Sequence, residues 1–304
     1  MSQEEKPIEI TDLRHNYGSR ELYNGLNLTF EKGQVYALLG KNGVGKTSLI
    51  QILMGFMRPN SGVCTIFGDP AYAIRPETRQ RVGLLFERHL AYDFFSIEQV
   101  EKFTRQFYPK WKPELYYDLV DRLGLPKSHR IAHMSEGQRS QVVLGLILAQ
   151  DPELLILDDY SMGLDAGYRR LFVDYLCEHL KDGKHTIIVT SHVIQDMHRF
   201  VDQAVFMRRD KPAYATSLDD FMNKFSCYRL PYTQNEQFTK ERCQSLDAST
   251  LLNVEWHKDY VELFTYAKQD NLAQMLADRG LNTGSLQHIP MDIEDAFVGF
   301  TGRY

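Results

Sequence analysis

A glycine-rich stretch near the amino end of the chain has the residue types and the spacing that bind phosphate. Residues 40–48 read G-K-N-G-V-G-K-T-S and fill each fixed position of the pattern G-x-x-x-x-G-K-[ST]. Glycines let the main chain bend tightly, so that successive N–H groups and the positive end of the following helix point at an anion. In such a loop Lys46 reaches the outer phosphates, and the Thr47 hydroxyl joins the ligands of a magnesium ion. The residues predicted to bind the nucleotide phosphates are Gly40, Lys41, Asn42, Gly43, Gly45, Lys46, Thr47 and Ser48.

Two further stretches carry side chains suited to nucleotide chemistry. Residues 153–158 read E-L-L-I-L-D, an apolar strand that ends in a carboxylate. The carboxyl end of a parallel strand faces the ligand-binding edge of its sheet, so Asp158 is predicted beside the phosphate loop, able to hold magnesium through water. Residues 133–139 read H-M-S-E-G-Q-R and open an apolar helix, for which Ser135 is a predicted N-cap.

The elements that must position these side chains follow from the apolar pattern. Residues 154–157 and 185–190 are largely continuous apolar runs, typical of parallel strands buried on both faces. Between 87 and 149 apolar residues recur at three- and four-residue spacings, which predicts a helical insertion. The other predicted elements before 225 are strands at 8–13, 26–30, 34–39, 62–68 and 204–207 and a helix over 48–54.

The pattern changes after about residue 226. Residues 251–256 and 261–266 predict a hairpin, and residues 293–300 predict a last helix. Asp270 is a predicted cap of a short helix through Leu276, which Gly280 ends. The predicted domains are therefore 1–225, which contains the phosphate loop, and a small accessory α/β domain at 226–304. A role in dimer formation is favoured for the latter over ligand sensing or simple packing.

Composition limits the classes of partner. The 304 residues are 43% hydrophobic and 25% charged, with a formal net charge of -5 and no dense block of Lys and Arg, which argues against a nucleic-acid partner. Four scattered cysteines lack metal-ligand spacing and predict reduced thiols in the cytoplasm. The start of the chain lacks the apolar stretch of a secretory signal, and no apolar run approaches the roughly 20 residues that span a bilayer.

Together these motifs resemble the ATP-binding cassette (ABC) family, in particular the cytoplasmic ATPase subunits of transporters whose membrane domain is a separate chain. The resemblance covers roughly residues 5–210, and residues 289–303 look like the closing segment of exporter-type (ABC-2) subunits. It implies an α/β P-loop NTPase fold: a RecA-like parallel core, an antiparallel β-subdomain, a helical subdomain at about 87–149 and a C-terminal α/β domain. It also implies ATP and Mg²⁺ as cofactors. The implied partners are a second ABC subunit, identical or different, and a separate transmembrane permease that holds the chain at the inner face of the membrane.

The resemblance also implies roles for single residues. Tyr17 matches the aromatic ring that stacks on adenine, and His192 matches the histidine that senses or stabilises the γ-phosphate. Asp165 matches the loop that crosses the dimer interface. Ser135, Gly137 and Gln138 match the signature that closes over the ATP of a second subunit, with the helix amino end directed at the γ-phosphate.

Three residues depart from the family pattern. Asp159 stands where a glutamate normally polarises the attacking water, and its side chain is one methylene shorter, which predicts slow hydrolysis. Glu87 stands where a glutamine is usual; it can approach magnesium but cannot donate an N–H. Glu136 replaces the first glycine of the signature, beside the predicted site of a γ-phosphate. Neutral variation and weakened catalysis are both open readings of these changes.

Three functions are open at this stage. The leading hypothesis is an ATPase subunit that dimerises around two ATP molecules and drives an exporting permease, which docks near residues 87–95. The aromatic residues of that surface are Phe86, Tyr92, Phe94 and Phe95, for which local core packing is the alternative. The second hypothesis is a nucleotide-gated regulatory half, impaired in hydrolysis, that pairs with a more active cassette. The third is a soluble cassette ATPase acting on nucleic acid or ribosomes, against which the single cassette argues.

Overall fold

Strands and helices are mixed along the chain in the computed structural model, which describes residues 5–86, 93–161, 165–179, 183–191, 193–209, 211–232, 241, 243 and 250–302. In that part of the chain the strands are β1 (Ile8–Tyr17), β2 (Arg20–Phe30), β3 (Val35–Leu39), β4 (Ser61–Ile66), β5 (Asp69–Pro70), β6 (Val82–Leu85), β7 (Leu154–Leu157), β8 (Thr186–Val189), β9 (Gln203–Arg208), β10 (Lys211–Ser217), β11 (Ser226–Pro231), β12 (Asn253–Trp256), β13 (Tyr260–Thr265) and β14 (Gln287–Ile289). The helices are α1 (Lys46–Leu53), α2 (Pro76–Arg79), α3 (Ile97–Thr104), α4 (Pro113–Asp121), α5 (Glu136–Ala149), α6 (Ala166–His179), α7 (Leu218–Lys224), α8 (Gln269–Ala277) and α9 (Ile293–Thr301). The chain forms two compact units, Met1–Ala215 and Thr216–Tyr304.

The central sheet of the first unit carries the nucleotide motifs. Its strand order is β10-β9-β3-β8-β7-β6, and β9, β3, β8, β7 and β6 run parallel to one another. Every residue of β3, β7 and β8 is buried, as expected for parallel strands covered on both faces. The strand order brings the carboxyl ends of β3 and β7 to either side of β8, so their following loops meet at one edge. This confirms the predicted parallel core.

An antiparallel sheet of order β2-β1-β4-β5 belongs to the same unit. β1 and β2 pair antiparallel and contain the strands predicted at 8–13 and 26–30, but both extend further toward their turn than predicted, to Tyr17 and from Arg20. Asp12 lies at φ 46°, and the register shifts between Ile10 and Leu13. A bulge of this kind interrupts the alternation of apolar and polar residues, which explains why the predicted first strand ended too early.

Helices α3, α4 and α5 confirm the helical region within its described residues. They bury an apolar cluster that includes Val100, Tyr116 and Val142. Ser96 and Ser135 begin α3 and α5 with the same capping box, in which the serine and a glutamine three residues later each accept an N–H from the other's main chain. Within the described residues, no helix is both long and apolar enough to cross a bilayer.

The second unit is built on a sheet of order β12-β13-β11-β14. β12 and β13 pair antiparallel, as the predicted hairpin requires, and α9 matches the predicted last helix. Its apolar core includes Leu230, Val261, Leu263 and Leu272. The assignment of residues 1–225 and 226–304 to a nucleotide-binding and an accessory domain stays a prediction.

The predicted cap of α8 is wrong. Lys268, with φ -68° and ψ 154°, is the extended residue before the helix, and Asp270 lies inside the first turn. A carboxylate there stabilises the positive end of the helix without capping it. Gly280 lies at φ 79° and donates its N–H to Ala277 O at 2.8 Å, which ends the helical path as predicted.

Candidate functional site

The phosphate loop connects β3 to α1 and depends on close approaches that only glycine allows. A Cβ atom at Gly40 would lie 2.6 Å from the carbonyl oxygen of Met207 on β9. Gly45 has φ 109°, and a Cβ there would lie 2.6 Å from Tyr23 Oη. The Tyr23 hydroxyl donates to the Gly45 carbonyl, and burial raises the pKa of this tyrosine, so it stays a donor. The loop is thus held against β2 and β9.

Lys46 is folded into this loop. Its ammonium donates to the carbonyl oxygens of Gly40 at 2.6 Å and Lys41 at 3.2 Å. Burial lowers the pKa of Lys46, while the nearby carboxylates of Asp158 and Asp159 raise it. The ammonium is therefore bonded to the loop carbonyls and lines the same pocket as Asp158 and Asp159.

Asp158 follows β7 at the sheet edge, as predicted. It is buried, at 3% exposure, and Thr190 Oγ1, at the end of β8, donates to Asp158 Oδ1 at 2.8 Å. Thr190 also accepts the N–H of Asp159 at 2.7 Å. This threonine ties the ends of two neighbouring strands together and orients both acidic residues.

Asp159 has a main-chain conformation rare for a residue with a side chain, with φ 47°. Ser161 Oγ donates to its Oδ1 at 3.3 Å, and Ser161 and Ser191 share a hydrogen bond of 2.6 Å. Tyr160, the next residue, is buried and stacked on Phe172 with ring centroids 5.0 Å apart. The turn that presents Asp159 is therefore fixed on both sides.

One pocket of about 360 Å³ collects most of the predicted residues of the first unit. It brings the phosphate loop together with Tyr17, which is 48% exposed, and with the two carboxylates after β7. Its lining is Tyr17, Arg20, Leu22, Asn42, Gly43, Gly45, Lys46, Thr47, Ser48, Asp158, Asp159, Thr190 and Ser191. An aromatic face, amide-rich loop, ammonium and carboxylates in one cavity match the base, phosphates and metal of a nucleotide.

Sequence reasoning missed Arg20 and the orienting role of Thr190. Arg20 begins β2 and its Nη2 donates to the carbonyl of Gly43 in the phosphate loop. A Cβ on Gly43 would lie 2.8 Å from that nitrogen. The sequence could have indicated Arg20 through its position, because it lies across a two-residue turn from Tyr17, which was predicted to contact the nucleotide. Both residues line the pocket.

The signature residues lie outside this pocket, at the amino end of α5. Ser135 Oγ accepts the Gln138 N–H at 3.3 Å, and Gln138 Oε1 accepts the Ser135 N–H at 3.0 Å. Gly137 is buried, and a Cβ there would lie 2.7 Å from Cδ2 of Tyr168 on α6. Glu136 is exposed in the first turn, where its charge favours the helix amino end. Ser135 is thus an N-cap, and Gly137 makes room for a ring.

Asp165 also lies outside the pocket. It precedes α6, and its Oδ1 accepts the N–H of Tyr168 at 2.9 Å, as an N-cap does. Asp165 is exposed. Two other predicted site residues, Glu87 and His192, lie outside the described residues.

A second, apolar groove of about 620 Å³ lies between the parallel core and the helices of the first unit. We name it the apolar groove; its lining includes Leu84, Val100, Phe103, Phe107, Val143 and Leu146. Phe103 and Phe107 are 37% and 56% exposed, and their ring centroids are 5.3 Å apart. The rings of Phe94 and Phe95 continue this row, with centroids 4.4 Å apart and Phe95 5.4 Å from Phe103.

Of the residues predicted to dock the permease, Phe94 and Phe95 belong to this row of rings and Phe86 does not. Phe94 is 66% exposed, whereas Phe95 packs partly buried against the helical core. Phe86 packs partly buried against the larger core of the first unit. Tyr92 lies outside the described residues. Phe86 and Phe95 are therefore mainly core residues, as the alternative reading expected. Phe94 is the one of the three described residues that is available on the surface.

Comparison with known proteins places the motifs in a family context. The profile of the "ABC transporter" family matches residues 23–161. The chain is 31% identical, over 98% of its length and 97% of the relative, to the Nod factor export ATP-binding protein I of Burkholderia orbicola (strain AU 1054). It is 25% identical, over 97% of its length and 98% of the relative, to the ABC transporter ATP-binding protein YtrB of Bacillus subtilis (strain 168).

A solved structure shares the fold. The ATP-binding subunit of an ABC transporter superposes with a TM-score of 0.63 at 23% identity, over 71% of this chain and 92% of that chain. At this level of identity the likeness concerns the fold alone.

Proposed function

The chain belongs to the ABC transporter family, as an ATP-binding subunit and an ATPase, and from this premise we propose that two cassettes close around ATP and Mg²⁺ to drive a separate membrane permease. The observation that supports this proposal best is the pocket in which Tyr17, Lys46, Asp158 and Asp159 meet. Each of them contacts a different part of the nucleotide in the proposed complex.

Tyr17 offers an exposed ring for stacking on adenine at one end of the pocket. The amides of residues 41–47 and the amino end of α1 bind the phosphates, with Lys46 as a positive charge. Lys46 would exchange its bonds to the Gly40 and Lys41 carbonyls for bonds to phosphate oxygens.

Two side chains fit a magnesium ion. Thr47 offers a hydroxyl at the start of α1 and Asp158 a buried carboxylate, and both line the pocket. Oxygen donors of these two types, with the remainder from water and phosphate, are what Mg²⁺ prefers. The bond from Thr190 fixes the carboxylate of Asp158 in orientation. When bound, Mg²⁺ neutralises charge on the β- and γ-phosphates.

We assign the positioning of the attacking water to Asp159, with His192 contributing as the resemblance implies. The main-chain bond to Thr190 and the hydroxyl of Ser161 hold the Asp159 carboxylate beside the phosphate loop. Glu87 is proposed as a further group near the metal. Ser135, Gly137, Gln138 and Asp165 are proposed to act across the dimer, on the ATP held by the second subunit. Their place outside the pocket of their own chain agrees with that role.

The apolar groove is the proposed docking surface of the permease. It exposes Phe103, Phe107 and, beside it, Phe94. An apolar groove of this kind accepts the apolar face of a partner helix. Docking there would hold the chain in the cytoplasm at the inner membrane face.

ATP affinity of a Lys46→Ala variant tests the proposed site. We expect a loss of about 100-fold in affinity for a non-hydrolysable ATP analogue in the presence of Mg²⁺, because several charge-assisted bonds to phosphate disappear. Lys112→Ala is the matched control, since Lys112 forms a half-buried ion pair with Asp151 at 2.9 Å outside the pocket. Undiminished affinity of Lys46→Ala would overturn the proposal.

A second candidate is a hydrolysis-impaired half that pairs with a more active cassette. The specific observation behind it is Asp159, whose shorter side chain is attached to a main chain at φ 47°. Both candidates bind ATP in the same pocket and differ in turnover. The Asp159 variant described in the Discussion distinguishes them.

A further inference from the structure

The second unit contains a cluster of metal-ligating side chains that the proposed ATPase function does not use. Glu255, His257 and Glu262 each present one ligand atom, and these atoms all lie within 4.8 Å of one another. Glu255 belongs to β12, His257 follows that strand directly, and Glu262 belongs to β13. The cluster therefore lies at the turn end of the β12–β13 hairpin.

Two of these groups repel one another. Glu255 and Glu262 are directly opposite in the register of β12 and β13. Like charges in that position destabilise a strand pair, and burial increases the cost. Glu255 is 8% exposed, and the Glu262 side chain is 13% exposed. Arg229 lies opposite Glu262 on β11 and forms an ion pair with it. A divalent cation between the carboxylates would relieve the repulsion further.

The Glu262 carboxylate is already oriented for such an ion. Arg229 Nη2 lies 2.7 Å and Nε 3.3 Å from the same oxygen, Oε1. The other oxygen, Oε2, faces Nε2 of His257 at 3.2 Å. Ligating carboxylates in metal sites are held in this way by a hydrogen bond to the oxygen that does not face the metal.

His257 is held equally firmly. The main-chain N–H of His257 donates to Tyr260 O at 3.0 Å, and its main-chain carbonyl accepts from Tyr232 Oη at 2.6 Å. Its ring stacks on Tyr260 with centroids 4.4 Å apart and planes at 21°. A site whose ligands are fixed before the ion arrives loses little conformational entropy on binding.

We propose that Glu255, His257 and Glu262 bind a divalent transition-metal ion, for which Zn²⁺ is the representative. One imidazole nitrogen and two carboxylate oxygens are borderline ligands that suit Zn²⁺ and its neighbours better than Mg²⁺. Binding converts the His257–Glu262 hydrogen bond into two bonds to the metal, and the proton of Nε2 moves to Nδ1 or to solvent. The His257 side chain is 23% exposed, so water can reach this imidazole and would supply the remaining ligands of the ion.

Isothermal titration of the full nucleotide-free chain with Zn²⁺, after removal of metals with EDTA, tests the proposal. Mg²⁺ is present throughout to occupy sites made of oxygen alone. We expect one strong Zn²⁺ site per chain. His257→Asn and Glu262→Gln should each weaken it by at least about 100-fold, since even losing an outer-shell partner costs about 10–100-fold.

His288→Asn is the matched control, since it makes the same change at an exposed histidine of β14 in the same unit. It should leave Zn²⁺ binding unchanged. Circular dichroism in EDTA shows whether each variant folds, and Glu262→Gln retains the shape of the side chain if His257→Asn does not. The proposal is wrong if the wild-type chain binds no Zn²⁺, if either ligand variant binds as the wild type does, or if His288→Asn removes the site.

Discussion

Asp159 combines a short side chain with an unusual main chain. Its φ of 47° is a region that Asp enters more readily than most residues with a side chain. Its N–H is bonded to Thr190 Oγ1, so the backbone is fixed and cannot shift freely to extend the carboxylate. A glutamate at this position would extend its carboxylate further, but it would tolerate the positive φ less well than aspartate does.

Asp159→Glu should raise steady-state ATP turnover by up to on the order of 100-fold, because a carboxylate displaced by about an ångström loses that much rate. The melting temperature should fall slightly, since glutamate is disfavoured at positive φ. Phosphate release by the purified chain measures turnover, and Asp174→Glu, at an exposed ion pair with Arg199, is the control. A large rise favours the hydrolysis-impaired half as the native role; an unchanged rate means that the side-chain length of Asp159 does not limit chemistry.

Arg20 is expected to strengthen nucleotide binding from outside the loop pattern. Its guanidinium lies in the pocket beside Gly43 and adds positive charge where a triphosphate would bind. Arg20→Ala should weaken ATP binding by about 5- to 10-fold, equivalent to about 1 kcal/mol for one charge-assisted contact at an exposed position. Equilibrium binding of a fluorescent ATP analogue measures this. Arg58→Ala, over the ring of Tyr72, should bind normally, and equal affinities of all three chains would exclude the role.

Among the elements, α3 and α5 begin with the same capping box, built on Ser96 and Gln99 or on Ser135 and Gln138. This duplication separates a structural from a functional role of the signature serine. Ser96→Ala and Ser135→Ala should each cost about 1 kcal/mol in the free energy of unfolding, because each leaves an N–H at a helix start without its cap. Chemical denaturation measures this loss.

Only Ser135→Ala should also impair ATP-dependent dimer formation, because Ser135 is the proposed contact to the partner's γ-phosphate. Size-exclusion chromatography with a non-hydrolysable ATP analogue and Mg²⁺ measures the dimer fraction. If both variants dimerise like the parent chain, Ser135 is a cap and nothing more. If both fail equally, loss of helix stability accounts for the effect.

For the whole molecule, the apolar groove and the nucleotide pocket are separate surfaces of the first unit, so they can be inactivated separately. Phe107→Asp should abolish recovery of a membrane-spanning permease from a detergent extract while ATP affinity stays unchanged, since a charge in an apolar groove excludes an apolar helix. Tyr72→Asp is the control, because Tyr72 is 65% exposed and does not line the groove. Affinity capture with mass spectrometry identifies the permease, and its recovery by Phe107→Asp would place the interface elsewhere.

The local chemistry was readable from the sequence because it depends on neighbours in the chain. Residues 40–48 contain the glycines, lysine and threonine of the loop in one continuous stretch. The apolar residues before Asp158 predict a strand with this carboxylate at its carboxyl end. The same holds for the predicted N-cap at Ser135, which bonds to the N–H of Gln138 three residues later. Propensity and periodicity act over such short distances, so the parallel core, the helical region and the β12–β13 hairpin were predicted correctly.

What only the tertiary structure decided are contacts between residues far apart in the chain. Arg20 reaches the loop at Gly43, Thr190 orients Asp158, Tyr168 occupies the space beside Gly137, and Arg229 aligns Glu262. None of these pairs has a spacing that a sequence pattern can express, because strand order and packing bring them together. The sequence therefore determined which chemical groups are available, and the fold determined which of them meet.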